Sequence, residues 1–153
     1  MSRFENQAAN WRTLSYSGAP AHGILFFVPT RPTIIVAEPE PNEALSVRKL
    51  VLETAKFNVL TAHSTREAID TFHKFPNVSA LIAVEDDSID CEALGKTVKE
   101  TVQKLPVIAL SARAGYRCRA ADHHMSSHEP EQLLRLMREL LGDPRSLPAE
   151  KAS

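Results

Sequence analysis

The chain has only two cysteines, Cys91 and Cys118, and they show neither paired-cysteine nor zinc-ribbon spacing. That pattern gives no disulfide framework and fits a reducing cytosol. Long apolar runs are missing as well. The longest, residues 24–28, is far too short to span a bilayer, and the opening MSRFENQAANWR lacks the apolar core of a secretory signal. The expected location is cytoplasmic, with no membrane partner. Nor is there an excess of either charge: 18 Lys+Arg stand against 19 Asp+Glu, a formal net charge of -1. No global field therefore draws the chain to nucleic acid or an anionic membrane. With 43% hydrophobic and 24% charged residues, wholesale disorder, collagen-like repeats and coiled coil are all excluded. At 153 residues the chain suits one soluble domain with a sizeable core.

Residues 1–32 differ from the rest. Ser, Gly, Pro and Asn punctuate two short apolar runs, 11–16 and 24–28, and the stretch closes on Pro29-Thr30-Arg31-Pro32. It reads as an N-terminal extension, either a hairpin turning at Ser17-Gly18-Ala19-Pro20 or a loosely ordered arm. From Thr33 the pattern becomes regular. Short apolar runs at 33–37, 58–62, 79–84, 106–110 and, weakly, 122–125 alternate with helical stretches, as in βαβ units.

The first helix presents Ala44, Val47, Val51 and Ala55 at helical spacing, widened by Leu45, Leu50 and Leu52. Ser64 and Glu67 form a capping box for a second helix running through Phe75. A third helix over 90–102 turns Ala93, Leu94, Val98, Thr101 and Leu105 inward. The last has Glu129 as cap, Pro130 at its first position, Leu133, Leu134, Met137, Leu140 and Leu141 facing in, and Gly142 as its stop. Residues 143–153 read as a flexible tail. Only residues 112–121 separate the fourth run from the fifth, too few for an ordinary parallel crossover, so the fourth helix is expected to be short or missing. The fold class is α/β: a flavodoxin-like, doubly wound, five-stranded parallel sheet of order 2-1-3-4-5. Ligands of such sheets bind at the carboxyl ends of the strands.

Ile34-Ile35-Val36-Ala37-Glu38-Pro39-Glu40-Pro41, the helix after it and the run from Lys56 to Ala62 resemble the opening of a receiver domain of bacterial response regulators. Leu105-Pro106-Val107-Ile108-Ala109-Leu110-Ser111-Ala112 resembles that family's fourth strand, and the likeness covers residues 33–142. It implies phosphoryl transfer from a histidine kinase to an aspartate ending the third strand. In such domains two acidic residues after the first strand help hold Mg²⁺, a Ser or Thr ends the fourth strand, and a Lys follows the fifth. Hard carboxylates hold the cation, cation and lysine neutralise the phosphoryl oxygens, and the hydroxyl reports the phosphate.

Transferred residue by residue, the resemblance gives Glu38 and Pro39 for the acidic pair, Val84 for the phosphoacceptor, Ser111 for the hydroxyl, and Ser127 followed by His128 for the lysine and its proline. Val cannot form an acyl phosphate, Pro39 has no oxygen ligand, and the fixed cation is gone. The expectation is a degenerate receiver, or pseudo-receiver: a single-domain, non-enzymatic interaction module of two-component or phosphorelay signalling. It would need no cofactor and would bind a protein partner or a second copy of itself. No output module is expected after residue 142.

The alternative is a shifted third strand that makes Glu85 or Asp86 the phosphoacceptor, with Mg²⁺ held by Glu38, Glu85 and Asp86. A small flavodoxin-like enzyme or nucleotide binder is a third reading, disfavoured because Glu38-Pro39-Glu40-Pro41 replaces any Gly-rich phosphate loop.

Other features have plain structural readings. The acidic run from Glu85 to Asp90 reads as a solvated loop with Asp90 capping the next helix. His123, His124 and His128 have a spacing compatible with zinc or nickel, but strand alternation turns His123 and His124 to opposite faces. Arg113, Arg117 and Arg119 with Tyr116 make a basic patch, read as a solvated loop with an acidic partner as the functional option. If Cys118 is exposed, its flanking arginines lower the thiol pKa.

Overall fold

The computed structural model describes residues 31–40 and 46–146, all within one compact unit, Arg31–Lys151. The expected hairpin or arm over residues 1–32 lies, but for Arg31 and Pro32, outside the described residues.

Five parallel strands, β1 (Thr33–Ala37), β2 (Asn58–Ala62), β3 (Ala80–Val84), β4 (Val107–Ser111) and β5 (His123–Ser126), form one sheet of order β2-β1-β3-β4-β5. Every residue of β3 and β4 is buried. A parallel sheet covered on both faces makes this demand, which is why its inner strands are apolar throughout rather than alternating. Ile34, Val36, Ile82, Val84, Ile108 and Leu110 face one layer; Ile35, Ala37, Leu81, Ala83, Val107 and Ala109 face the other.

The first layer is α1 (Val47–Thr54) and α4 (Pro130–Leu141); the second is α2 (Thr65–Lys74) and α3 (Cys91–Thr101). Their ends follow local chemistry. Ser46, Ser64 and Asp90 each accept a hydrogen bond from the amide three residues on, and Glu67 Oε1 accepts one from the amide of His63. Glu129 takes the N-cap position of α4 without a side-chain bond, and Gly142 ends that helix at φ 87°, where a side chain would be strained.

Several expected faces are corrected. In α1, Val47 and Leu50 point to solvent, 58% and 55% exposed, while Leu52 and Ala55 are buried. In α3, Ala93 and Thr101 are exposed and Cys91 and Gly95 are buried in their place. Leu140 in α4 is exposed. Ala44 and Leu45 lie outside the described residues. The tail does not begin at 143, because Pro144–Ser146 form a 3₁₀ turn with Pro144 buried; residues 147–153 are not described.

No helix joins β4 to β5, as the short spacing predicts. The connection is instead pressed onto α3. A Cβ built on Gly95 would lie 2.7 Å from the Ala120 Cβ, closer than real carbons approach. Gly95→Ala is therefore expected to destabilise by about 1–2 kcal/mol, the cost of overpacking exceeding the gain in helix propensity. Adding Ala120→Gly should recover most of that loss in urea unfolding, and equal midpoints for wild type and Gly95→Ala would show that the contact is soft.

Candidate functional site

The strand order reverses between β1 and β3, so the crevice at their carboxyl ends is where such a sheet builds a site. The last register pair there is Ala37 with Ala83. Glu38 and Val84 follow immediately, and Val84 pairs with Leu110 of β4. The register leaves Val84 in the apolar layer under α1 and α4, 6% exposed.

Glu38 is buried, 1% exposed. Its amide donates to the Ala62 carbonyl at 2.9 Å, and its carbonyl lies 3.1 Å from His63 Nδ1. The carboxylate is met by a residue the sequence reading passed over. Arg48, in the first turn of α1, donates from Nε to Glu38 Oε1 at 2.8 Å and from its terminal nitrogen to the Ser127 carbonyl at 3.1 Å. One guanidinium thus links the end of β1 to the loop after β5. Glu38 Oε2 is buried without a hydrogen-bond partner.

Glu85 leads away from this pair. Its amide donates to the Leu110 carbonyl at 2.7 Å, Oε1 accepts the Ser111 hydroxyl, and Oε2 accepts the Arg113 guanidinium. The Arg113 bond, with that of Ser111 next, holds the Glu85 carboxyl below its usual range. Arg113 also lies over the Tyr116 ring, 5.4 Å from its centroid. Asp86 is exposed and serves its own turn, accepting from the Ser88 amide at 3.0 Å and the Ser88 hydroxyl at 2.7 Å. Asp90 caps α3, as its position in the sequence suggests. The structure thus brings Glu38, Val84, Ser111 and Ser127 to one end of the sheet and turns Asp86 outward.

Mg²⁺ demands near-octahedral oxygen ligands, which is what the residues at this end of the sheet would have to supply. They do not fit. Pro39 and Val84 offer no side-chain oxygen, both Glu85 oxygens are taken by Ser111 and Arg113, and Asp86 is exposed and bonded to Ser88, so Glu38, with one oxygen on Arg48, contributes a single unpartnered oxygen. Among the described residues no cluster of three His, Cys, Asp or Glu side chains is placed to hold a metal. His124 Nε2 instead lies 3.0 Å from both the amide and the carbonyl of Cys118.

The largest correction concerns the cysteines. Cys91, first residue of α3, and Cys118, in the β4–β5 connection, are joined as a disulfide with Cα atoms 6.3 Å apart. Local spacing rules miss a pair 27 residues apart that only the crossover brings together. Cys118 is 1% exposed, so the exposed thiol of lowered pKa does not arise. The connection borders a groove of about 440 Å³ lined by Ser111, Arg113, Tyr116, Arg117 and His124, among others.

The solved structures similar to this one include the response regulator protein TrrA from Thermotoga maritima in complex with Mg²⁺–BeF, with TM-score 0.60 and 24% identity over 72% of this chain and 99% of that one. The chemotaxis protein CheY4 of Vibrio cholerae matches with TM-score 0.61 and 18% identity, over 73% and 100% of the two chains. The fold is that of receiver domains. A further match is TrrA in complex with the histidine kinase ThkA, at TM-score 0.58 and 24% identity over 72% of this chain and 98% of that one. No family model and no curated protein matches the receiver-fold chain. No helix among its described residues is long and apolar enough to cross a membrane.

Proposed function

We propose that residues 33–142 act as a pseudo-receiver: a two-component signalling module that binds a protein partner without first accepting a phosphoryl group. The observation that carries this reading is the Arg48 bridge between Glu38 and the Ser127 carbonyl. Where a phosphorylatable receiver keeps an acidic pair for Mg²⁺ and a lysine for the phosphoryl oxygens, this chain has an internal ion pair between Glu38 and Arg48. Glu38, Pro39, Val84, Ser111 and Ser127 take the receiver-equivalent positions, and an aliphatic side chain stands at the acceptor. The switch hydroxyl of Ser111 already has an anion in the Glu85 carboxylate, so the β4–β5 connection has a fixed partner in the unmodified chain.

TrrA, at 24% identity, forms a complex with a histidine kinase, which supports a protein of that signalling class as the partner. The remodelled β4–β5 face is the surface where partner choice would differ from that of ordinary receivers. The proposed activity is binding rather than catalysis.

The test is incubation with Mg²⁺ and acetyl phosphate followed by intact-mass measurement. The unmodified mass is expected under conditions that phosphorylate an ordinary receiver stoichiometrically. A phosphoryl adduct mapped to Glu85 or Asp86 would replace this reading with the phosphoacceptor one, since Glu85 would then have to release both Ser111 and Arg113.

A further inference from the structure

We infer that Cys91 and Cys118 form a reversible dithiol–disulfide site whose redox state sets how tightly the β4–β5 connection is held on α3. The bridge lies where the fold has lost a regular element. Residues 112–121 contain only two main-chain hydrogen bonds among themselves, Tyr116 to Arg113 at 3.4 Å and Ala121 to Cys118 at 3.1 Å. At its start Arg113 donates from its amide to Ser111 Oγ at 2.9 Å and from its guanidinium to Glu85. Further along, the ties are the Arg119 amide to Glu92 at 2.6 Å, His124 against the Cys118 backbone, and the Gly95–Ala120 contact. These contacts lie on the Cys118 side, and the disulfide is the covalent tie among them. Segments with few backbone bonds open locally at low free-energy cost, so the buried sulfurs become reachable without global unfolding.

The chemistry favours one direction of attack. Cys91 is the first residue of α3, where the helix N-terminus stabilises a thiolate and makes it the better leaving group. The attacking group is the thiolate of an external dithiol. It bonds to Cys118 Sγ and the Cys91–Cys118 bond breaks. Cys91 leaves as thiolate and takes up a proton. The second external thiol then closes its own disulfide and releases Cys118 as a thiol. Two electrons and two protons pass to the bridge, and the dithiol is oxidised. An external disulfide reverses the exchange.

Reduction frees the connection that carries Arg113 and Tyr116, and with it the partner of Glu85. The redox state of this pair thereby reaches both the groove and the strand ends.

The test uses the full-length protein in two states, treated with dithiothreitol or with oxidised glutathione, without denaturant. Maleimide labelling should find both thiols after the first treatment and neither after the second. Trypsin cleavage after Arg113, Arg117 and Arg119, normalised to cleavage after Arg66 in α2, should be about tenfold faster in the reduced state. Cys91→Ser and Cys118→Ser should match the reduced wild type under both treatments. Thiols that stay reactive in oxidised glutathione would overturn the inference, and so would a bridge reducible only after unfolding. An equal cleavage ratio in the two wild-type states would do the same, and that comparison needs no substitution to fold.

Discussion

Arg48→Met should destabilise the fold by about 3 kcal/mol, toward the lower end of what is lost when one partner of a buried ion pair is removed. Glu38 provides the burial: its side chain is 2% exposed, against 22% for Arg48. One of its oxygens already lacks a partner, so without the guanidinium a carboxylate would remain in an apolar layer with almost no compensation. The partial exposure of Arg48 lets water screen part of the interaction and keeps the loss at that lower end.

Arg48→Lys should recover only part of the loss, because one ammonium cannot reproduce the planar fork that reaches both Glu38 and the Ser127 carbonyl. Combining Arg48→Met with Glu38→Gln removes the stranded charge and should restore roughly 1–3 kcal/mol relative to the sum of the single changes. Urea unfolding with unchanged m-values provides the measurement. Single variants within about 0.5 kcal/mol of wild type would mean that solvent already satisfies Glu38, and the ion pair would no longer support a pseudo-receiver.

Arg48 also marks where the sequence stops being legible. The strands could be read because inner parallel strands are apolar on both faces, and their order is the flavodoxin-like one that five β/α units with helices on both faces imply. Helix ends could be read at Ser64, Asp90 and Gly142, since capping is a contact within four residues. The missing fourth helix followed from counting residues 112–121. Glu38, Val84, Ser111 and Ser127 could be placed at one end of the sheet because they end or follow strands. What could not be read depends on distant elements meeting: Arg48 reaches Ser127 across 79 residues, and Cys91 finds Cys118 across a crossover.

A signal for Arg48 nevertheless existed. Arg48, Leu52 and Ala55 fall at i, i+4 and i+7, a core-facing stripe led by a charge. A search for the most apolar stripe selects Val47, Val51 and Ala55 instead. A cation on the inner face of an otherwise amphipathic helix implies an anion beneath it, and the buried Glu38 at the end of β1 is that anion.

The same helix phase carries the second large effect. Leu52→Ala should cost about 2–5 kcal/mol, since Leu52 is fully buried in the cluster that holds Ile34, Val36, Ile82, Leu133 and Met137, and truncation leaves a cavity there. Val47→Ala should fall within about 0.5 kcal/mol of wild type, because its side chain is 58% exposed and alanine is the better helix former. The contrast tests orientation rather than composition, both being aliphatic residues of one helix. If Val47→Ala proved costly and Leu52→Ala silent in urea unfolding, α1 would have to be turned by about 100°, the angle of one residue, placing Val47 and Val51 inward. Arg48 would then be rotated away from Glu38, and the carboxylate would be left for a cation. The phase of this one helix therefore decides whether the end of β1 is a closed ion pair or an open metal ligand.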